Sequence, residues 1–251
     1  MTVIAHKNQK NTYSRQQGLA ALALVLLLGA TGGALAAKPA TTVDIRYTGQ
    51  LGGLSQSLEL DWRGDEMSSR AGTLSFETRG GSGAGSTSFE AFCIELAQST
   101  STSFRTYTVG SFAAGQGSLL QGLFSSSYAT VDSSLERSAF QLAIWELTHE
   151  TRASSYSVRD NNSRQSFNLD SDSSNYYPLR DLANGYLYAA THYSGPDLYK
   201  LDRLSNSSAQ DLVRFTAISA VPEPGSYAML AAGLGVLGFV ARRRRKAAAA
   251  A

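Results

Sequence analysis

Cysteine is all but missing: Cys93 is the only one in 251 residues, so no internal disulfide can brace the chain. A lone cysteine is either a small buried hydrophobe, a partner for another molecule, or a chemical group. Basic charge is also missing from the body of the chain. Residues 38–241 hold 14 basic and 20 acidic side chains, a formal charge of −6, and the other eight basic residues sit at the two ends. The pI of 8.6 therefore reflects the ends alone. A mildly acidic body excludes nucleic-acid binding, which needs a basic footprint. No internal repeat is present. The segment from Lys38 to Val221 is long enough for one domain with a real core.

The ends carry what the body lacks. Lys7, Lys10 and Arg15 precede an apolar stretch from Leu19 to Leu28, and Ala34-Leu35-Ala36 follows as a cleavage site. That order is a secretory signal peptide over 1–36, with the mature chain expected near Ala37. At the other end come Pro222-Glu223-Pro224, an apolar run from Tyr227 to Ala241, and Arg242-Arg243-Arg244-Arg245-Lys246. The prolines stop helix or sheet from running into the apolar run. Residues 228–240 are apolar enough to enter a bilayer but short for spanning one, and the basic stop stays cytoplasmic. This three-part tail, over 221–251, resembles the PEP-CTERM tail of exported Gram-negative proteins, in which an exosortase recognises Pro-Glu-Pro. The resemblance implies exosortase processing, inner-membrane anchoring in transit, and delivery to the cell surface or extracellular matrix.

Between the ends, 37–220 is expected to form one ectodomain. Val43, Ile45 and Tyr47 alternate with polar residues, as do Leu58, Leu60 and Trp62, then Leu74 and Phe76, which predicts strands. Gly80 to Gly85 predicts a hairpin loop. Phe89 to Leu96 is apolar on both faces apart from Glu90 and Glu95, predicting a central strand that carries Cys93, and Arg105 to Val109 predicts another. Leu119, Leu120, Leu123 and Phe124 fall at helical spacing. Ser133 and Glu136 form a capping-box signature before a helix on which Ser138, Gln141, Trp145 and Thr148 share a face. Thr151 to Asn175 is polar and reads as a long surface loop. Its Asp170, Asp172 and Asn175 lack the glycine and terminal Glu of an EF-hand, so no metal is expected. A helix from Pro178 burying Leu179, Leu182, Ala183, Tyr186 and Leu187, and strands at 198–204 and 212–218, complete the body. The fold class is α+β: a mixed β-sheet or β-barrel-like domain with an inserted helical subdomain, flanked by the signal peptide and a C-terminal membrane-anchor helix.

The pointed chemistry lies in Phe92-Cys93-Ile94-Glu95 and in Phe140-Gln141-Leu142-Ala143-Ile144-Trp145-Glu146. These motifs resemble those of Cys–Gln thioester domains in bacterial surface adhesins, which carry an aromatic-Cys-apolar motif on a strand and an apolar-Gln-x-x-apolar-Trp motif at a helix. The resemblance covers roughly Phe89 to Tyr193. It implies a bond between the sulfur of Cys93 and the side-chain carbonyl of Gln141, with Phe92, Trp145 and Glu146 as supporting residues. A thiolate attacking the amide expels ammonia, and the fold must hold the groups in near-attack geometry. The product is a single-use acyl donor for an amine-bearing surface protein or matrix component, with no cofactor and no enzymatic turnover. The known thioester adhesins carry a different, Gram-positive sorting signal, so the tail departs from that family's pattern.

Other readings compete. Cys93 with His149 or His192 would make a cysteine hydrolase, although no hydrolase signature surrounds the cysteine. Glu95 and Glu146 would make a carboxylate pair for glycoside chemistry. Tyr176, Tyr186, Tyr188 and Tyr193 would serve a non-covalent matrix protein stacking on an exopolysaccharide.

Overall fold

The computed structural model describes residues 41–79, 86–151, 155–160, 166–218, 229 and 231–237, all within the unit Pro39–Ala251. The expected signal peptide, the glycine loop at 80–85, Pro222-Glu223-Pro224 and the Arg242–Lys246 stop lie outside the described residues. Of the expected membrane anchor only Met229 and residues 231–237 are described. Among the described residues no helix is long and apolar enough to cross a membrane.

The chain runs β1 (Thr42–Trp62), β2 (Asp65–Thr78), β3 (Ser88–Cys93), β4 (Arg105–Gly110), α1 (Ala114–Ser127), a 3-10 turn (Tyr128–Thr130), α2 (Ser134–His149), β5 (Phe167–Leu169), α3 (Tyr176–Thr191), β6 (Tyr199–Asn206) and β7 (Ala209–Ala217). The fold is α+β, with helices set between strands. The strands form one sheet in the order β2-β3-β7-β6-β4-β1-β5, and β1 also pairs with β2. The pairings thus lead from β1 through β2, β3, β7, β6 and β4 back to β1. Every described pairing is antiparallel, so the expectation of a mixed sheet is corrected. The short connections between neighbouring strands, such as Arg63-Gly64, favour that outcome.

The two alternating stretches that predicted separate strands, Val43 to Tyr47 and Leu58 to Trp62, belong to one long β1. It bends where its register against β2 shifts, between Gln50 and Ser55. Gly52 and Gly53 take φ of +51° and +76° there, which residues with a Cβ rarely adopt.

The helix after the capping box forms as the sequence predicts. The Ser133 hydroxyl accepts from the Glu136 N–H at 3.2 Å, and the Glu136 carboxylate accepts from the Ser133 N–H at 2.8 Å. Such a cap contributes about 1 kcal/mol. All of Ser138 to Leu147 is buried, so α2 is covered on every side. It packs against β1, β2, β3 and β5 and against both other helices. The expected helical subdomain is therefore a layer on the sheet, sharing one hydrophobic core with it. Phe92 stands at the junction, with ring centroids 5.2 Å from Phe140, 5.9 Å from Phe215 and 6.1 Å from Phe124.

α3 starts at Tyr176, two residues before Pro178, because proline is tolerated in a first turn. Leu179, Ala183 and Leu187 are buried, while Leu182 and Tyr186 are half-buried. α1 and α3 cross closely: a Cβ on Gly122 would lie 2.5 Å from the Ala190 carbonyl oxygen. Gly122→Ala is expected to force the helices apart and destabilise by about 1–3 kcal/mol, read from denaturant midpoints at unchanged m. An unchanged midpoint would disprove this close contact.

The reading of Thr151 to Asn175 as a surface loop is corrected at Phe167–Leu169, which form β5, and at Val158, while the described residues around them are irregular. Phe167, Asn168 and Leu169 are buried and pair with Trp62, Asp61 and Leu60 of β1, and Val158 is buried too. Glu150 holds the segment by accepting the N–H of Ser166 at 2.7 Å.

Candidate functional site

β3 meets β7 on one side, where Cys93 faces Leu212. On its other side the β2 ladder ends at the pair Ala91 and Leu74, two residues before Cys93. The backbone of Cys93 is buried and needs partners. Gln141 supplies both. Its Oε1 accepts from the Cys93 N–H at 3.0 Å, and its Nε2 donates to the Cys93 carbonyl at 2.8 Å. One turn earlier on α2, the Ser138 hydroxyl donates to the Ala71 carbonyl of β2 at 2.9 Å. The helix is thus wedged where β2 and β3 part, bonding to the backbone of each strand. Gln141 is 0 % and Cys93 4 % exposed.

This arrangement brings the carboxamide of Gln141 against the residue that carries the sulfur. The carbonyl oxygen already receives one N–H, the kind of donor that stabilises charge on an oxyanion. The thiol itself is disfavoured as a thiolate: burial pushes it up, and the nearby Glu95 carboxylate adds to the effect. Tyr47 of β1 and Tyr107 of β4 lie near enough to feel a charge on Cys93. Phe92, its neighbour in β3, instead joins the aromatic cluster against α1 and α2.

Trp145 is completely buried and meets Phe167 of β5 edge-on at 6.3 Å. Glu146 turns elsewhere. Its Oε1 accepts from the Ser157 N–H at 2.8 Å, while its Oε2 is buried without a hydrogen bond among the described residues. Burial raises its carboxyl pKa to about 8. Five residues along a helix amount to a rotation of about 140° from Gln141, so Glu146 holds the Ser155–Val158 segment instead of facing the cysteine.

Among the described residues neither histidine of the hydrolase reading hydrogen-bonds to Cys93. His149 is packed against Trp62 at 5.2 Å, and burial lowers its pKa to about 4, with Arg63 adding to the effect. His192 ends α3, exposed and stacked on Tyr188 at 4.1 Å. The aspartates weighed for calcium form a turn, with Asp170 Oδ1 accepting from the Asp172 N–H at 2.8 Å. Among the described residues no cluster of His, Cys, Asp or Glu is arranged to hold a metal.

The structure also gathers residues that the sequence did not single out. Gln98, Gln116, Arg203, Asn206 and Asp211 join Glu95 and His149 around a polar cleft of about 430 Å³. They come from parts of the chain more than a hundred residues apart, and no local pattern marks them.

The C-terminal motif decides where the chain goes. Residues 220–245 match the PEP-CTERM protein-sorting motif. The PEP-CTERM tail marks an exported protein with an exosortase as its processing partner, held in the membrane in transit and sorted to the surface. No curated protein and no solved structure matches the chain.

Proposed function

We propose that this PEP-CTERM protein carries an intramolecular thioester between Cys93 and Gln141, and that the bond serves for covalent attachment to an amine-bearing surface or matrix component. One observation supports this reading above the others: a buried carboxamide is clasped by both backbone groups of the single cysteine, at 3.0 and 2.8 Å. A surface glutamine on an amphipathic helix would have no reason to be there. In the reaction the sulfur attacks the Gln141 carbonyl carbon, the carbon–nitrogen bond breaks, and the thiol proton leaves with the nitrogen as ammonia. Holding the groups together replaces a bimolecular encounter with an effectively unimolecular step. The Cys93 N–H stays on the carbonyl oxygen throughout, and the Nε2 contact is given up with the leaving group. Trp145, one turn beyond Gln141 and capped by Phe167, keeps water from the bond.

The test is the intact mass of the purified protein before and after incubation with methylamine, with Cys93→Ala alongside. The expected native mass is short by one ammonia, methylamine adds to it, and the variant shows neither change. A full native mass, with Cys93 alkylated once the protein is denatured, would leave a passive matrix protein, with Gln141 acting only as a structural clasp.

A further inference from the structure

The polar cleft sits at the end of the seam that joins Cys93 and Gln141. Glu95 follows Cys93 by two residues along extended chain, and Thr148 follows Gln141 by two helical turns, so both elements of the seam continue into its wall. Its charges are unequal in freedom. The two oxygens of Asp211 are taken by the Arg203 guanidinium at 3.0 Å and by the Asn206 N–H at 2.9 Å. Glu95 makes no described salt bridge; the Asp211 backbone N–H donates to its carboxylate and Arg203 lies near enough to favour its charge, while the carboxylate itself opposes ionisation of the Cys93 thiol. Among the described residues, two buried polar atoms of the lining, Gln98 Oε1 and His149 Nε2, have no full hydrogen bond, the His149 ring lying close to the Ile94 backbone. Arg203, the cation of the lining, is paired with Asp211, and the remaining oxygen acceptors, the Glu95 carboxylate and the neutral His149 imidazole make a surface suited to an ammonium group.

We propose that this cleft docks the primary ammonium of the attacking partner, a lysine side chain in chemical class, with Glu95 as its counter-ion and selectivity residue. The chemistry rests on the thioester reading; the docking does not. To react, the ammonium gives one proton to water, leaves Glu95 and advances along the seam to the buried Gln141 carbonyl, which it attacks as a free amine. A carbon–nitrogen bond forms, the carbon–sulfur bond breaks, and the amine's second proton passes to the sulfur, restoring the Cys93 thiol. Glu95 thereby favours cationic amines over uncharged nucleophiles, water included.

Two measurements on the full chain in detergent test this. In Cys93→Ala, which cannot form the bond, butylammonium is expected to shift the His149 imidazole resonances while butanol does not, and adding Glu95→Gln weakens the response roughly tenfold. In the thioester-bearing protein, Glu95→Gln is expected to slow opening by methylamine roughly tenfold while sparing hydroxylamine, which is uncharged near neutral pH. Gln98→Glu, adding a carboxylate, should speed methylamine relative to hydroxylamine and serves if Glu95→Gln fails to fold. Equal responses to butylammonium and butanol, or no effect of either substitution on the preference, would overturn the docking site even with the thioester intact. A native mass without the ammonia deficit would sink the thioester, and the butylammonium titration would still decide the cleft.

Discussion

Without a thioester, Gln141→Ala is expected to cost the domain about 3–6 kcal/mol, much of its total stability; with one, the lost crosslink adds to that cost as it does in Cys93→Ala. The substitution strips the Cys93 N–H and carbonyl of their partners inside the protein, at about 1–3 kcal/mol each, and leaves a cavity beside them. Cys93→Ala separates structure from chemistry. Without a thioester it removes only one small buried group, at about 1 kcal/mol. With a thioester it also opens a crosslink between residues 48 apart, and the chain-entropy treatment used for disulfides then assigns about 4 kcal/mol more. Denaturant unfolding of wild type, both variants and methylamine-treated wild type checks this. Wild type losing several kcal/mol on methylamine treatment, and approaching Cys93→Ala, is the expected pattern. A loss below about 1 kcal/mol in Gln141→Ala would mean that the clasp seen at Cys93 is not a stabilising contact in solution.

Much of this frame was legible in the sequence. The capping box at Ser133, the apolar stretch from Phe89 to Leu96 and the helical spacing around Gln141 are local patterns, and each element forms there, although β3 stops at Cys93, three residues short of the expected end. Three features were not legible. β5 has only three residues inside a polar segment, too few for a period to show, and its burial is imposed by the end of β1 and by Glu150. The run of polar residues around it reads as solvent-facing because the partners that satisfy them are distant in sequence. The role of Gln141 as a substitute for a missing ladder partner depends on where β2 leaves β3, which is a matter of register and wedge geometry. The cleft is assembled from Glu95, His149 and the β6–β7 hairpin, so only the closed fold brings its lining together. Motif proximity also misled at Glu146: adjacency in sequence to Trp145 placed it near the proposed bond, whereas helical rotation aims it at Ser157.

Glu146→Gln is expected to remove a pH dependence that wild type shows above neutrality. The Glu146 carboxyl titrates near 4.5 in an unfolded chain and near 8 in the fold, because burial disfavours its charge. The folded state therefore holds the extra proton between these values. Stability is complete below about pH 4.5 and falls as pH rises through 8, by on the order of 3–5 kcal/mol in all. His149 acts in the opposite direction, since its pKa falls from 6.5 to about 4 on folding. Its contribution is present above pH 6.5 and is lost as pH falls through 4. The two slopes oppose each other between pH 4.5 and 6.5, giving a plateau, and only Glu146 acts from there to pH 8, where roughly 2 kcal/mol is lost. Glutamine keeps an oxygen for the Ser157 N–H and has no charge to bury, so the variant should stay flat across pH 6.5–8 and exceed wild type at pH 8. Urea titrations at pH 5.5, 6.5 and 8 measure the difference. Parallel curves for wild type and variant across that range would show that Glu146 ionises in the fold as it does in water, and that the Ser155–Val158 segment does not seal it.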